Sequence, residues 1–209
     1  MELTRVELNP GDARARRDLA NPYEMHSTLA RAFADGAQYP ARNFLWRLEP
    51  RIGLANPVLL VQSQSAAHWG NFEKVQSNWA LAIDSKQVDE RTLVTSGRIL
   101  RFRLRANPTV TRQGKRHGLY REDDQIGWLE RQAARHGFEA QALAVSEPSR
   151  IVASRRRSGA SQVVVYSALF DGVLRVTDVD LFVHALREGL GHAKALGLGL
   201  LSVAGGSAS

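Results

Sequence analysis

The chain has no cysteine among its 209 residues, which excludes disulfides and every thiolate zinc site. Lysine is scarce: Lys74, Lys86, Lys115 and Lys194 are the only four among 28 cationic residues, set against 21 acidic ones. No apolar run approaches the roughly 18 residues that span a bilayer, and Met1-Glu2-Leu3-Thr4-Arg5 lacks the basic-then-apolar build of a signal peptide. A cytoplasmic protein with no membrane partner is the expectation. His26, His68, His117, His136, His184 and His192 show no metal-ligand spacing, and no Asp/Glu cluster points to magnesium. Neither a metal nor another cofactor is expected.

What is present is a core and an excess of positive charge. With 44% hydrophobic residues the chain can bury a real core, and its length suits one large domain or two of roughly 100 residues. The net charge of +7 points to an anionic partner, nucleic acid first. Arginine supplies most of that charge, and its planar fork suits phosphate and guanine edges. GC-rich coding would enrich arginine as well, so charge alone does not decide the partner.

Along the chain, Leu3–Leu8 reads as a strand ended by Asn9-Pro10-Gly11-Asp12. Arg14, Arg16 and Arg17 read as a basic loop before a helix running to about Asp35-Gly36. Strands follow at Phe44–Leu48, Pro57–Gln62 and Trp79–Ile83, with room for a short helix in 66–75. Polar residues 85–97 read as a linker. Then the order repeats: an alternating strand at 98–105, a basic loop with Lys115 and Arg116, and a helix over 122–136 with Ile126, Leu129 and Ala133 on its apolar face. A strand over 138–145, a hairpin of 151–153 with 163–166, a helix over 178–188 and a final strand at 200–203 complete it. Two successive β-α-β-β-α-β runs imply an α+β chain of two tandem ferredoxin-like (RNA-recognition-motif-like) domains, residues 1–84 and 98–209.

Ala20-Asn21-Pro22-Tyr23-Glu24-Met25-His26 is a helix start. Asn21 is a good N-cap, Pro22 sits where a missing N–H costs nothing, and Glu24 is placed for a capping box. Met25, Leu29, Ala32 and Phe33 form the apolar face, and Tyr23 and His26, three apart, are neighbours in the first turn. A phenol beside an imidazole on a rigid helix end can do proton-transfer chemistry; by itself the pair can equally be packing.

Three basic features lie downstream. Arg101, Arg103 and Arg105 share one face of an alternating strand with no interleaved acid, a spacing that can follow a phosphate backbone or simply be solvated. Arg155, Arg156 and Arg157 crown the expected hairpin. Gly189, Gly191, Gly197 and Gly199 surround Lys194 in a glycine-rich loop that follows a helix and precedes a strand, the wrong context for a dinucleotide site. Such a loop lets backbone N–H groups approach phosphate, or serves only as a tight turn. RNA cleavage needs no metal, because the 2′-hydroxyl is an internal nucleophile and the protein has only to align it and move two protons.

On the segments Arg17–His26, Leu45–Pro50, Arg101–Pro108, Gly114–Arg116 and Lys194–Val203, in this order from end to end, the chain resembles the CasE family of type I-E CRISPR repeat-processing endoribonucleases, within the RAMP superfamily. The resemblance implies cleavage of CRISPR precursor RNA at the base of the repeat hairpin without metal. It implies a 5′-hydroxyl on one product and a cyclic or 3′ phosphate on the other, and retention of the guide RNA in Cascade with that complex's other subunits. It implies catalysis by His26 and Tyr23, and a grip on the RNA stem by Arg155–Arg157. Arg31 is a further candidate cation. The chain departs from the family pattern at Ser27, where a basic residue is expected, at His192, where a proline is expected, and through 66–94. The rival reading is a non-catalytic RNA-binding subunit on the same fold. A double-stranded DNA binder is more distant, since no helix-turn-helix or zinc pattern is present.

Overall fold

A computed structural model describes residues 1–33, 44–70, 78–154 and 162–205. The chain divides into two compact units, the first comprising 1–88 with 153–163 and 195–197, the second 89–152, 164–194 and 198–209.

In the first unit, strand β1 (Glu2–Leu8) leads into helix α1 (Ala13–Ala20), helix α2 (Pro22–Ala32) and strands β2 (Phe44–Leu48), β3 (Val58–Ser63) and β4 (Ala80–Gln87). The sheet order is β2-β3-β1-β4, with every neighbouring pair antiparallel. Alternation along β1 turns Val6 and Leu8 onto the buried face. There they meet Met25 and Leu29 of α2, Trp46, Leu59, Val61 and Trp79. The expected basic loop is instead α1. Asp12 is its N-cap, accepting from the Arg14 and Ala15 N–H groups at 2.8 and 3.0 Å. Its arginines line a mostly exposed helix whose buried residues are only Ala15 and Asp18, too few to register as an apolar stripe.

The second unit contains a one-turn helix α3 (Glu90–Leu93), strand β5 (Ile99–Ala106), the hairpin β6 (Thr109–Arg112) and β7 (Lys115–Gly118), helix α4 (Glu122–Arg135), strands β8 (Phe138–Ala153) and β9 (Val163–Val176), helix α5 (Val179–Glu188) and strand β10 (Leu201–Gly205). Its sheet order, β10-β5-β9-β8, repeats that of the first unit. Each sheet places its first and third strands centrally, the ferredoxin-like arrangement. Leu100, Phe102, Leu104 and Ala106 of β5 point into a core with Phe170, Phe182 and Leu186. On α4 the buried anchor is Trp128 beside Leu129 and Ala133, while Ile126 is only half-buried.

Three sequence expectations are corrected. The segment 85–97 is not a free linker: β4 runs to Gln87, and buried Glu90 of α3 accepts from Arg187 Nε of α5 at 3.1 Å. The basic loop with Lys115 and Arg116 is a hairpin turned by Gln113 and Gly114, both at positive φ. The strand expected over 138–145 continues to Ala153, passing Glu147 at φ 45°.

Candidate functional site

The first unit builds its candidate site on the start of α2. Asn21 accepts from the Tyr23 N–H at 3.2 Å and Pro22 takes the first helical position. The Asn21 N–H is taken by the Arg17 carbonyl at 3.1 Å, and Glu24 turns its carboxylate to Arg17 Nε at 3.5 Å, so Arg17 rather than the Asn21 N–H receives it. Arg17 also donates to Thr28 Oγ1 at 3.1 Å and to Asp18 Oδ1 at 2.6 and 2.8 Å. Asp18, fully buried, accepts from Trp79 Nε1 at 2.8 Å. One guanidinium and one carboxylate thus bind α1, α2 and the residue leading into β4 to each other.

On that platform His26 is half-buried, its Nδ1 is sealed from solvent, and its ring stacks on Phe44 with centroids 5.0 Å apart and planes 26° apart. Phe44 stacks in turn on Phe33 at 4.8 Å. These contacts fix the plane of the imidazole. Tyr23, half-buried, precedes His26 by three residues on the same helical face. Arg31, exposed, continues the row Tyr23, Ser27, Arg31 at successive four-residue steps. Among the described residues no three His, Asp or Glu side chains converge as a metal-ligand set.

The glycine-rich segment is held by backbone packing. A Cβ on Gly197 (φ 79°) would lie 2.7 Å from the Trp46 ring, so the Trp-containing β2 and this loop require each other's shape. A Cβ on Gly199 (φ 92°) would lie 2.7 Å from the Leu190 carbonyl, whose own N–H donates to the Gly199 carbonyl at 2.8 Å. The Gly199 N–H donates to the Arg105 carbonyl at 2.7 Å. Those groups are committed to folding. Gly189 ends α5 at φ 70° and Gly191 has φ 77°.

The arginine row of β5 is not acid-free in three dimensions. Arg103 faces Asp171 of β9, its directly paired residue, with Nε–Oδ1 at 2.7 Å. Arg105 is ion-paired to Glu147 and reaches Ser149 Oγ at 3.3 Å. Arg101 is exposed. Acids on β9 and on β8 beyond it supply counter-charges where the linear sequence has none. The expected tip residues Arg155, Arg156 and Arg157 lie outside the described residues.

Lys115 and Arg116, exposed on β7, and Lys194, half-buried in the loop, belong to the same unit. The histidine that replaces an expected proline reports on them. Burial, then the positive charges of Arg116 and Lys194, holds His192 below its ordinary 6.5. His136 is lowered too, by burial first and then by His184, Arg135 and Lys194. Sequence spacing could not have joined Arg116 to the loop of His192 and Lys194, because they come together only through the fold.

Both histidines bind protons more readily when unfolded. The stability they contribute is complete above about pH 6.5 and falls as pH drops through their folded values. Urea midpoints should therefore decline between pH 7.5 and 5.5, above the carboxylate range, and His136→Gln should shrink the decline. An unchanged slope in that variant would remove His136 from the account.

The comparisons with known proteins cover nearly the whole chain. A family model described as CRISPR associated protein matches residues 1–205. The chain is 38% identical to CRISPR-associated endoribonuclease Cse3 of Thermus thermophilus, across 98% of this chain and 100% of that protein. It is 31% identical to CRISPR system Cascade subunit CasE of Escherichia coli, across 90% of this chain and 92% of that protein. A solved structure of CRISPR endoribonuclease Cse3 bound to 19 nt RNA matches with a TM-score of 0.88 at 38% identity, across 98% of this chain and 100% of that one. By sequence and by fold, the chain belongs to the CRISPR associated protein family that includes Cse3 and CasE.

Proposed function

We propose that this chain is a CRISPR RNA-processing endoribonuclease that needs no metal. It cuts the precursor at the base of the repeat hairpin and stays on the guide RNA as a Cascade subunit. The observation that carries the reading is the imidazole of His26, fixed by its stack on Phe44 in the helix turn that also holds Tyr23. The name of Cse3, a CRISPR-associated endoribonuclease, and its structure bound to RNA support the substrate class, and the name of CasE, a Cascade subunit, supports the complex. Transcript processing places the activity in the cytoplasm.

The reaction is a transesterification. The 2′-hydroxyl loses its proton to a base, O2′ bonds to the adjacent phosphorus, and the bond from phosphorus to O5′ breaks. O5′ leaves with a proton from an acid, giving a 2′,3′-cyclic phosphate and a 5′-hydroxyl. His26 carries out proton transfer at one of these oxygens, and Tyr23 orients or activates the nucleophile. Proton transfer by a positioned group contributes about 10²–10⁴-fold.

RNA contacts are assigned to Arg31, Arg101, Lys115, Arg116 and Lys194 of the described residues, and to Arg155–Arg157. Arg103 and Arg105 already carry the counter-charges of Asp171 and Glu147, so they contribute less than their spacing implies. The non-catalytic rival shares all of these contacts, and cleavage separates the two. Labelled repeat hairpin RNA should be cut in EDTA, and a 2′-deoxy nucleotide just 5′ of the scissile phosphate should abolish cutting while binding stays intact. Binding without cleavage, or cleavage only with added metal, would sink the reading.

A further inference from the structure

Asn21 makes more bonds than a helix cap requires. Its N–H closes α1 on the Arg17 carbonyl, and its carbonyl accepts from the Glu24 and Met25 N–H groups at 2.9 and 3.1 Å. Its side-chain Oδ1 caps α2 at Tyr23. The same side chain reaches 133 residues along the chain. Nδ2 donates to the Ser154 carbonyl at 2.8 Å, and Oδ1 accepts from the Ser154 N–H at 3.4 Å. The amide therefore pairs with the Ser154 backbone at two points, as a neighbouring strand would, and both residues belong to the first unit.

Capping does not demand asparagine. Aspartate and serine cap about equally well, but neither can complete this pairing. Aspartate has no donor when ionised and would set a carboxylate against the Ser154 carbonyl. Serine has one polar atom, a bond nearer the backbone, so a hydroxyl that caps the helix does not also reach Ser154. Of the three, only the amide sets its donor and its acceptor on separate atoms, Nδ2 for the Ser154 carbonyl and Oδ1 for the two N–H groups.

Ser154 follows the last residue of β8 and precedes Arg155 in the chain. We infer that Asn21 is a positioning residue: it locks the Ser154 backbone to the helix turn that carries Tyr23 and His26. RNA lying against the Ser154 backbone is thereby presented to those side chains in a fixed register. This rests on the active-site reading above. Catalytic alignment is sensitive to placement, and a shift of about 1 Å can cost roughly 10²-fold in rate. Loss of the pairing should therefore appear in the chemical step.

The test uses the full-length protein with Asn21→Asp and Asn21→Ser, both of which retain a cap. Single-turnover cleavage of repeat hairpin RNA in EDTA is measured beside affinity for the uncleavable 2′-deoxy RNA and the thermal midpoint. The expected result is a cleavage rate about tenfold or more lower in both variants, with affinity within threefold and a nearly unchanged midpoint. Asn21→Ser guards against charge repulsion as the cause, and it stands alone if Asn21→Asp does not fold. Variants that cleave within twofold of wild type overturn the inference. So do variants whose rate, affinity and midpoint fall together, since that marks a structural role. His26→Ala is run alongside. If it cleaves like wild type, or if wild type does not cleave, the active-site reading has failed; if it is inactive while the Asn21 variants are normal, only the positioning role has.

Discussion

His26→Ala should lose about 10²–10⁴-fold in single-turnover cleavage, the range for a general acid or base, while its affinity for uncleaved RNA changes little. The structure argues for that separation. The ring is held by its stack on Phe44 and the Phe33 contact behind it, so truncation removes an aromatic contact worth about 0.5–1.5 kcal/mol. The apolar residues that anchor α2, Met25 and Leu29, remain buried and in place. The variant should stay folded and should still present the cationic side chains assigned to RNA. Rate and affinity measured on one preparation in EDTA decide the matter. If affinity falls as far as the rate, His26 contributes to binding and the proton-transfer role is wrong. The 2′-deoxy substrate supplies the complementary loss from the RNA side, because it removes the nucleophile and leaves the protein intact.

Asp18→Ala should be the most destabilising substitution near the site, costing about 3–5 kcal/mol, the scale for breaking a buried charge pair. Its carboxylate is wholly buried and accepts from Trp79 Nε1 and from two nitrogens of Arg17. Truncation takes the acceptor from a fully buried indole and leaves the guanidinium without its closest counter-charge. Arg17 also ties α1 to Thr28 and Glu24 of α2, so its loosening reaches the helix that bears Tyr23 and His26. Asp18→Asn should cost less, since one oxygen can still accept from Trp79. Urea unfolding followed by tryptophan fluorescence measures both, and a loss below about 1 kcal/mol for the alanine variant would show that the network contributes little net stability.

The start of α2 was legible because capping is local. Asn21, Pro22 and the spacing of Met25, Leu29 and Ala32 depend on near neighbours, and periodicity reports them directly. The repeated order of strands and helices was legible for the same reason. The α1 helix was not, since it buries little and its three arginines resemble a solvated loop. The β6–β7 hairpin was hidden by its Gln113-Gly114 turn, which differs from the asparagine–glycine and aspartate–glycine pairs that mark such turns most strongly.

The arginine strand shows where local reading stops. Alternation placed Arg101, Arg103 and Arg105 on one face, yet strand register decides which acids oppose them, and register is a property of the sheet. Asp171 and Glu147 stand far away in sequence and directly adjacent in space. The approach of Arg116 to His192, 76 residues further along the chain, is likewise invisible to spacing.

By itself, the sequence determined the two α+β repeats, the excess of arginine, the exclusion of thiolate chemistry and the Tyr23–His26 pair, all of them properties of composition or short-range order. Only the tertiary structure decided that Asn21 reaches Ser154, that Gly197 yields its Cβ to Trp46, and that two of the three strand arginines are neutralised. Each of those facts joins residues brought together by sheet pairing and packing, and a one-dimensional pattern has no term for contact between distant positions.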